Sequence, residues 1–315
     1  MKLIFMGTPE FAVPSLERLI LDGHQIAAVF TQPDKPAGRG NKLHPPPVKT
    51  LALHHGITVH QPAKIKTNEE VRQVFEQIAP RACVVTAYGR ILPEWMLAIP
   101  ELGCINVHAS LLPRYRGAAP INWAIARGEQ ETGITIMQMD KGMDTGPILA
   151  MRTITIGEHE TAPELSTRLS QIGAELLSET LPLVERGEIA PRAQNNEEAT
   201  YAPMLKREDG LIDWRMTAGE IARRVRAFQP WPATYTFFRG SRLILWKARE
   251  IPAHHHAAPA TITGAEKSGV AVACADNTSL LIEEIQIEGK RRMSARDFIN
   301  GSRLNVGDRI ADESA

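Results

Sequence analysis

Apolar residues enter this chain in short runs separated by longer amphipathic segments. KLIFMG (2–7) is a continuous apolar run closed by glycine, and it predicts a buried strand. Thr8, Pro9 and Glu10 then read as a cap, a first helical position and a first-turn acid. The helix they predict, FAVPSLERLILDG, keeps helical spacing up to Gly23, with Pro14 disturbing its first turn. QIAAVFT (25–31) is the next strand. A strand, a helix and a strand in this order make a βαβ unit and hence a parallel sheet.

The alternation continues with strands at 81–89 (RACVVTAYG), 104–110 (CINVHAS) and 133–140 (GITIMQMD). Helical segments fall at 68–78, 93–98 and 120–127, and a long amphipathic helix runs over 161–187 with Thr161 as its cap. The composition turns polar over 188–203 (EIAPRAQNNEEATYAP), which reads as a connection. Beyond it lie a helix at 218–227 and the short strands ATYTFF, RLILWKA, GVAVACA and SLLIEEIQIEG. Strands so short and close predict a small β-barrel or sandwich. The expected organisation is a doubly wound, mostly parallel α/β domain at 1–187, a linker at 188–205 and a small β domain at 206–315.

Bulk composition adds limits rather than function. The 315 residues are 43% hydrophobic and 23% charged, as in a globular protein able to bury a core. Lys plus Arg equals Asp plus Glu at 36 each, so net charge is silent about nucleic acid. Cys83, Cys104 and Cys274 are scattered in apolar runs, which suits core thiols in a reducing compartment. No apolar run is long enough for a signal peptide or a membrane span, so a cytoplasmic location is expected.

Candidate chemistry concentrates in GCINVHASLLPRYRGAAPINW (103–123). Period-two alternation puts Asn106 and His108 on one face of a strand, near its carboxyl end, where open parallel sheets bind ligands. Spacing alone is equally met by a hydrogen-bonded amide and a core histidine. MDKGMDTGPIL (139–149) follows the next strand, and its loop is expected at the same sheet edge, carrying Asp140 and Asp144. An amide, an imidazole and a carboxylate converging there would suit acyl transfer without a covalent step: an oxyanion donor, a proton mover and its orienting acid. The nearest nucleophiles, Ser110 and Cys104, lie in no recognised nucleophile motif. GTPEF lacks both glycine-rich phosphate fingerprints, and the runs His54-His55 and His254–His256 do not have the spacing of metal ligands.

N-x-H followed by SLLP and, further on, DKGMDTG resembles the folate-dependent formyltransferase family. The likeness extends through FMGTPEFAVPSL, VFTQPDKPAGRGNKL, VVTAYGRILP, DWRMTA and RAFQPWPATYT, so it covers nearly the whole chain. It departs from relatives at Tyr115, Asn122 and Trp123. The resemblance implies a formyltransferase-like Rossmann-type fold and a C-terminal domain of the oligonucleotide-binding (OB-like) barrel kind. It implies Asn106, His108 and Asp144 as catalytic residues, with Asp144 orienting or charging the imidazole. Ser110, Leu111, Leu112 and Pro113 would meet the tetrahydrofolate, and Tyr88, Gly89, Ile91 and Leu92 would wall its pocket. The implied reaction moves a formyl group from 10-formyltetrahydrofolate to the methionine α-amino group of initiator methionyl-tRNA, with no metal.

For the RNA, Lys35, Arg39, Lys42 and Lys49 sit on a Gly/Pro-rich loop that the resemblance makes an acceptor-stem element. Arg114 and Arg116 follow the folate motif, and Arg223, Arg224, Arg226, Arg239, Arg242, Lys247, Arg249, Lys290, Arg291 and Arg292 could follow a phosphate backbone. Taken singly, each reads as a solvated charge; together they predict an affinity that falls steeply with salt. Competing readings are a formyltransferase for glycinamide ribonucleotide or a sugar amine, a non-catalytic RNA binder, and a hydrolase releasing formate. Nothing asks for more than a monomer.

Overall fold

The computed structural model describes residues 1–37, 42–253, 256–266 and 268–311. The chain divides into two compact units. The first comprises Met1–Pro120, Glu131–Thr155 and Ser166–Pro203; the second comprises Ile121–Gln130, Ile156–Leu165 and Met204–Ala315. The division is therefore not the sequential one expected, because two short segments of the first 187 residues join the second unit.

In the first unit, β1 (Lys2–Gly7), α1 (Val13–Leu21) and β2 (Gln25–Phe30) form the expected opening βαβ unit. A hairpin, β3 (Lys35–Ala37) and β4 (Lys42–His44), precedes α2 (Pro47–His54) and β5 (Val59–His60). Then come α3 (Glu69–Ile78), β6 (Ala82–Thr86), α4 (Glu94–Ala98), β7 (Cys104–His108), β8 (Arg116–Gly117) and α5 (Pro120–Ala126). The chain continues through β9 (Glu131–Gln138), β10 (Ile148–Thr155), α6 (Ala162–Glu185) and β11 (Tyr201–Ala202).

The main sheet has the order β10-β9-β7-β6-β1-β2-β5. Strands β7, β6, β1, β2 and β5 are mutually parallel, whereas β9 and β10 are antiparallel to their neighbours. Helices cover both faces. On one, Ile4, Met6, Phe30, Cys83, Val85 and Cys104 pack with Phe75 of α3 and Met96 of α4. On the other, α6 crosses β7 and β9 so closely that a Cβ on Gly173 would lie 2.9 Å from Val107 Cγ1. Gly173→Val is accordingly expected to destabilise the protein by roughly 1–3 kcal/mol through overpacking. Chemical denaturation measures this, and an unchanged midpoint would contradict the packing.

Three local readings are corrected. Thr8 caps no helix: Pro9 is the cap of a short 3-10 turn at Glu10–Ala12, and α1 begins at Val13. The Thr8 hydroxyl instead donates to Tyr88 O (3.3 Å) and accepts from Gln32 N (3.3 Å), tying together the carboxyl ends of three strands. Secondly, β9 pairs antiparallel to β7, with Ile105 opposite Gln138 and His108 opposite Thr135. The Asp140–Asp144 loop therefore leaves the sheet at the opposite edge from the one expected. Thirdly, the polar stretch after α6 is not free chain. Arg192 bridges Ile148, and β11 adds to β8 as a parallel pair, Tyr201 on Arg116 and Ala202 on Gly117.

The second unit is built from α7 (Ala218–Ala227), β12 (Thr234–Phe238), β13 (Ser241–Ile251), β14 (Ile262–Glu266), β15 (Gly269–Ala273), β16 (Ser279–Ile287), β17 (Met293–Ser294) and α8 (Ala295–Ser302). Its sheet is antiparallel in the order β12-β13-β16-β15-β14, with β17 on β16. Ile221 and Val225 of α7 and Phe298 of α8 close its core against Leu243, Leu245, Val272, Leu280 and Ile282. Thr217 and Glu220 cap α7 reciprocally, so the helix start is set by a capping box. The unit is the small β domain expected after the α/β domain. Among the described residues no helix is long and apolar enough to cross a membrane.

Candidate active site

Asn106 and His108 project from β7 on the face that α3 and α4 cover at the Cys104 end. They are 8% and 6% exposed. The helices stop short of them, and two loops take over the face.

The first loop, 109–118, is the SLLP segment. Ser110 Oγ donates to Arg114 O (2.6 Å), which folds the turn back on itself. Thr135, opposite His108 on β9, accepts from Leu112 N (3.2 Å) and donates to Ser110 O (2.7 Å). Leu112 then packs with Met137 and Ile148. Beyond the turn, Tyr115 N donates to Thr200 Oγ1 (2.9 Å) and Arg116 N donates to Thr200 O (2.9 Å), so the residue just before β11 pins the far end. The result places Tyr115 O 3.1 Å from His108 Nε2.

The second loop joins β9 to β10. It starts beside the base of β7, where Met139 N donates to Cys104 O (2.7 Å). Asp140 Oδ1 then accepts from Gly142 N (2.9 Å) and Thr145 Oγ1 (2.7 Å), curling the loop back along β7. Asp144 sits at the left-handed φ of +56°, a backbone conformation that costs a non-glycine residue energy and persists only where neighbours hold it. Gly146 is required by approach: a Cβ there would lie 1.9 Å from Gln138 O. The D-T-G motif is thus a fold-back that returns Asp144 to the far end of β7 despite the antiparallel strand.

Asp144 Oδ1 lies 3.7 Å from His108 Nδ1, and Oδ2 accepts from Gly117 N (2.8 Å). The 3.7 Å separation exceeds a hydrogen bond. With Nε2 donating to Tyr115 O, the ring is oriented by the backbone and Nδ1 remains the uncommitted nitrogen beside the carboxylate. The Asn106 carboxamide has no hydrogen-bond partner among the described residues, so its two N–H donors are available to a ligand.

The other expected residues divide. Ser110, 1% exposed, spends its hydroxyl on the turn. Leu111 is partly buried with Cδ2 against Gly133, and Pro113 is partly buried. Tyr88 and Leu92 point into the core with Phe75 and Met96, while Gly89 is exposed and Ile91 is 85% exposed. Burial pushes the Tyr88 phenol up to about 12. Its Oη meets no partner among the described residues. Tyr88→Phe should therefore hold or raise the melting temperature, since it removes an unsatisfied buried hydroxyl. A thermal melt decides, and a clear fall would mean that the phenol has a partner. The segment is held instead by Gln32, which donates to Tyr88 O (3.1 Å) and accepts from Arg90 Nη2 (2.9 Å).

Among the expected RNA contacts, Lys35 is exposed on its hairpin and Arg114 is exposed beside the turn. Arg39 lies outside the described residues, as do His254 and His255 and the side chain of Lys42. Lys49 is bound to both oxygens of Asp34 at 2.8 Å. Hydrogen bonds from Gln61 and Lys49 hold the Asp34 carboxyl below its ordinary value. Arg116 departs most from expectation. It is 2% exposed, with Nε and Nη2 on Gln194 Oε1 (3.1 and 2.7 Å) and Nη2 on Asn196 Oδ1 (2.8 Å). A guanidinium so enclosed does not face an RNA phosphate.

In the second unit, Arg292 pairs with Glu284, and Lys247 and Arg249 pair with Glu283. Arg239 pairs with Asp308 and donates to Ser302 O. Arg242 stacks over Tyr235 at 3.8 Å, and Arg224 donates to Asp209 O (3.2 Å). Arg223 and Arg226 line a cleft of about 740 Å3 with Arg249. Among the described residues no group of three His, Cys, Asp or Glu side chains could hold a metal ion.

Sequence reading missed Thr135, Gln32 and Gln194. Thr135 lies within β9 and Gln32 just beyond β2, and the partners of both are distant in sequence. Gln194 lies in the stretch taken as a linker.

Residues 1–181 match the formyl transferase family model, and residues 204–303 match the model of the formyl transferase C-terminal domain. The methionyl-tRNA formyltransferase of Caldanaerobacter subterraneus is 50% identical over 307 residues, spanning 98% of this chain and 99% of its own. That of Geobacter metallireducens is 51% identical over 310 residues, 98% of each chain. Among solved structures, a sugar 3N-formyl transferase (WlaRD) crystallised with dTDP and 5-N-formyl-THF aligns with a TM-score of 0.67 at 19% identity, over 92% of this chain and 99% of that one. At that identity the structural likeness speaks to the fold alone. The two family matches, and relatives half identical from end to end, place the chain in the formyl transferase family, among the methionyl-tRNA formyltransferases.

Proposed function

We propose that Asn106, His108 and Asp144 transfer a formyl group from 10-formyltetrahydrofolate to the α-amino group of methionine on initiator methionyl-tRNA. The observation that carries this reading is the unpartnered Asn106 carboxamide, 8% exposed, two residues from a histidine whose ring is oriented by the backbone and flanked by a carboxylate.

The donor supplies an electrophilic formyl carbon. Its fit to the chain rests on exposed apolar surface at Ile91, on the segment after β6, and at Met143, on the segment after β9. When the amine attacks the formyl carbon, negative charge gathers on the formyl oxygen. Asn106 Nδ2 is the donor placed to meet it, acting from a site sheltered from water, while His108 Nδ1, which keeps its lone pair when Nε2 donates to Tyr115 O, is the base placed to take the amine's proton. Collapse of the oxyanion breaks the old C–N bond, and His108 Nδ1 hands the amine's proton to the leaving folate nitrogen. Asp144 keeps the imidazole in register.

Among the described residues, the nearest candidates for a covalent route are all committed or buried. The Ser110 hydroxyl is committed to Arg114 O, Cys104 Sγ donates to Met96 O (3.5 Å), and burial raises the Cys83 thiol well above its ordinary value.

The acceptor is tested by offering labelled 10-formyltetrahydrofolate with initiator methionyl-tRNA, elongator methionyl-tRNA or glycinamide ribonucleotide in parallel. Label on the initiator species alone is expected. Label on the ribonucleotide, or formate released without an acceptor, would overturn the proposed partner.

A further inference from the structure

We infer that Gln194, aligned by the buried Arg116, is a positioning residue for Asp144. The inference rests on the proposed role of Asp144. Its ground is that Asp144 is held from two directions by one piece of structure. Its carboxylate accepts from Gly117 N (2.8 Å), and its backbone carbonyl accepts from Gln194 Nε2 (2.9 Å), which also donates to Gly146 O (2.7 Å).

A carboxamide has one donor end and one acceptor end, and nothing intrinsic decides which way it faces. Here Arg116 decides. Its Nε and Nη2 both take Gln194 Oε1, and Nη2 also takes Asn196 Oδ1. With Oε1 committed to a cation, both hydrogens of Nε2 must face the loop, where two carbonyls wait. Charge-assisted bonds of this kind are stronger than neutral ones and resist rotation of the amide. Arg116 is itself fixed by β8, whose next residue, Gly117, supplies the hydrogen bond to the carboxylate. Thus one dipeptide governs both the side chain and the main chain of Asp144.

The left-handed backbone of Asp144 gives this clamp something to do. Relaxation of that φ would swing the carboxylate away from His108 Nδ1. Displacement of a reacting group by about 1 Å can cost roughly 10²-fold in rate.

The diagnostic variant is Gln194→Glu. It keeps length and strengthens the acceptor toward Arg116, but it places oxygen where both loop carbonyls need a donor. The expected result is a melting temperature close to that of the parent, a fall in kcat of about 10- to 10²-fold, and little change in KM for either substrate. Gln194→Met, uncharged and of similar length, should show the same loss of kcat and guards against a fold defect in the first variant. In an Asp144→Asn background either change should add almost nothing, because it acts through Asp144. An unchanged kcat in both Gln194 variants, or the same fold-loss in the Asp144→Asn background, would overturn the inference. If Asp144→Asn alone left kcat intact, the proposed role of Asp144 would fall first, and that result is distinct from a failure of Gln194.

Discussion

His108→Ala is expected to lower kcat for formyl transfer by roughly 10²- to 10⁴-fold, the usual range for a positioned proton-transfer group, while leaving the fold and substrate binding largely intact. The imidazole is a small part of the core. It is held by one backbone carbonyl, Tyr115 O. The loops around it are pinned by other bonds: Thr135 on Ser110 and Leu112, Thr200 on Tyr115 and Arg116, and Asp140 on its own turn. Structure and chemistry therefore separate at this position. Steady-state kinetics with methionyl-tRNA, read beside a thermal melt, check both halves. A variant with near-parental kcat would remove His108 from the reaction.

Asn106→Ala is expected to cost roughly 10²- to 10³-fold in kcat, as does loss of one preorganised donor to a developing oxyanion. KM should change little, because the donor matters most when charge has moved to the oxygen. Asn106→Asp is the sharper variant. It nearly preserves shape, yet it replaces a donor by a carboxylate that repels the same charge, so its kcat should fall at least as far as that of the alanine variant. An aspartate variant more active than the alanine one would mean that the side chain serves shape and not donation.

Much of this was legible from the chain. The strands β1, β2 and β6 are largely apolar runs with sharp ends, and period-two alternation in β7 put Asn106 and His108 on one face without any structure. The D-T-G loop was also visible as the source of a carboxylate. Its route was not. An antiparallel strand carries the same β-branched alternation as a parallel one, so nothing in GITIMQMD told that β9 runs against β7. The pattern of β10 is weak because only Ile148 along it is fully buried.

Polar side chains hid the rest. The stretch after α6 reads as solvated chain because its residues are hydrophilic, yet Gln194, Asn196 and Thr200 spend their polar groups on the site's own loops. Arg116 misled for the same reason. A basic residue after a strand end suggests a surface charge, and only the folded neighbours show that its guanidinium is enclosed between two carboxamides. Hydrophobic patterning reports what is buried by apolarity; it is silent on what is buried by hydrogen bonding.

The central claim is direct transfer, from donor to amine, on a site that supplies donors and a proton path but no nucleophile. The measurement that bears on it most directly is a single turnover with formyl-labelled 10-formyltetrahydrofolate and methionyl-tRNA, quenched at intervals, with label followed on folate, tRNA, formate and protein. Direct transfer predicts that label leaves the folate and appears on the tRNA at the same rate, with none on the protein at any time. A labelled protein species that forms and decays fast enough to carry the flux would contradict the account.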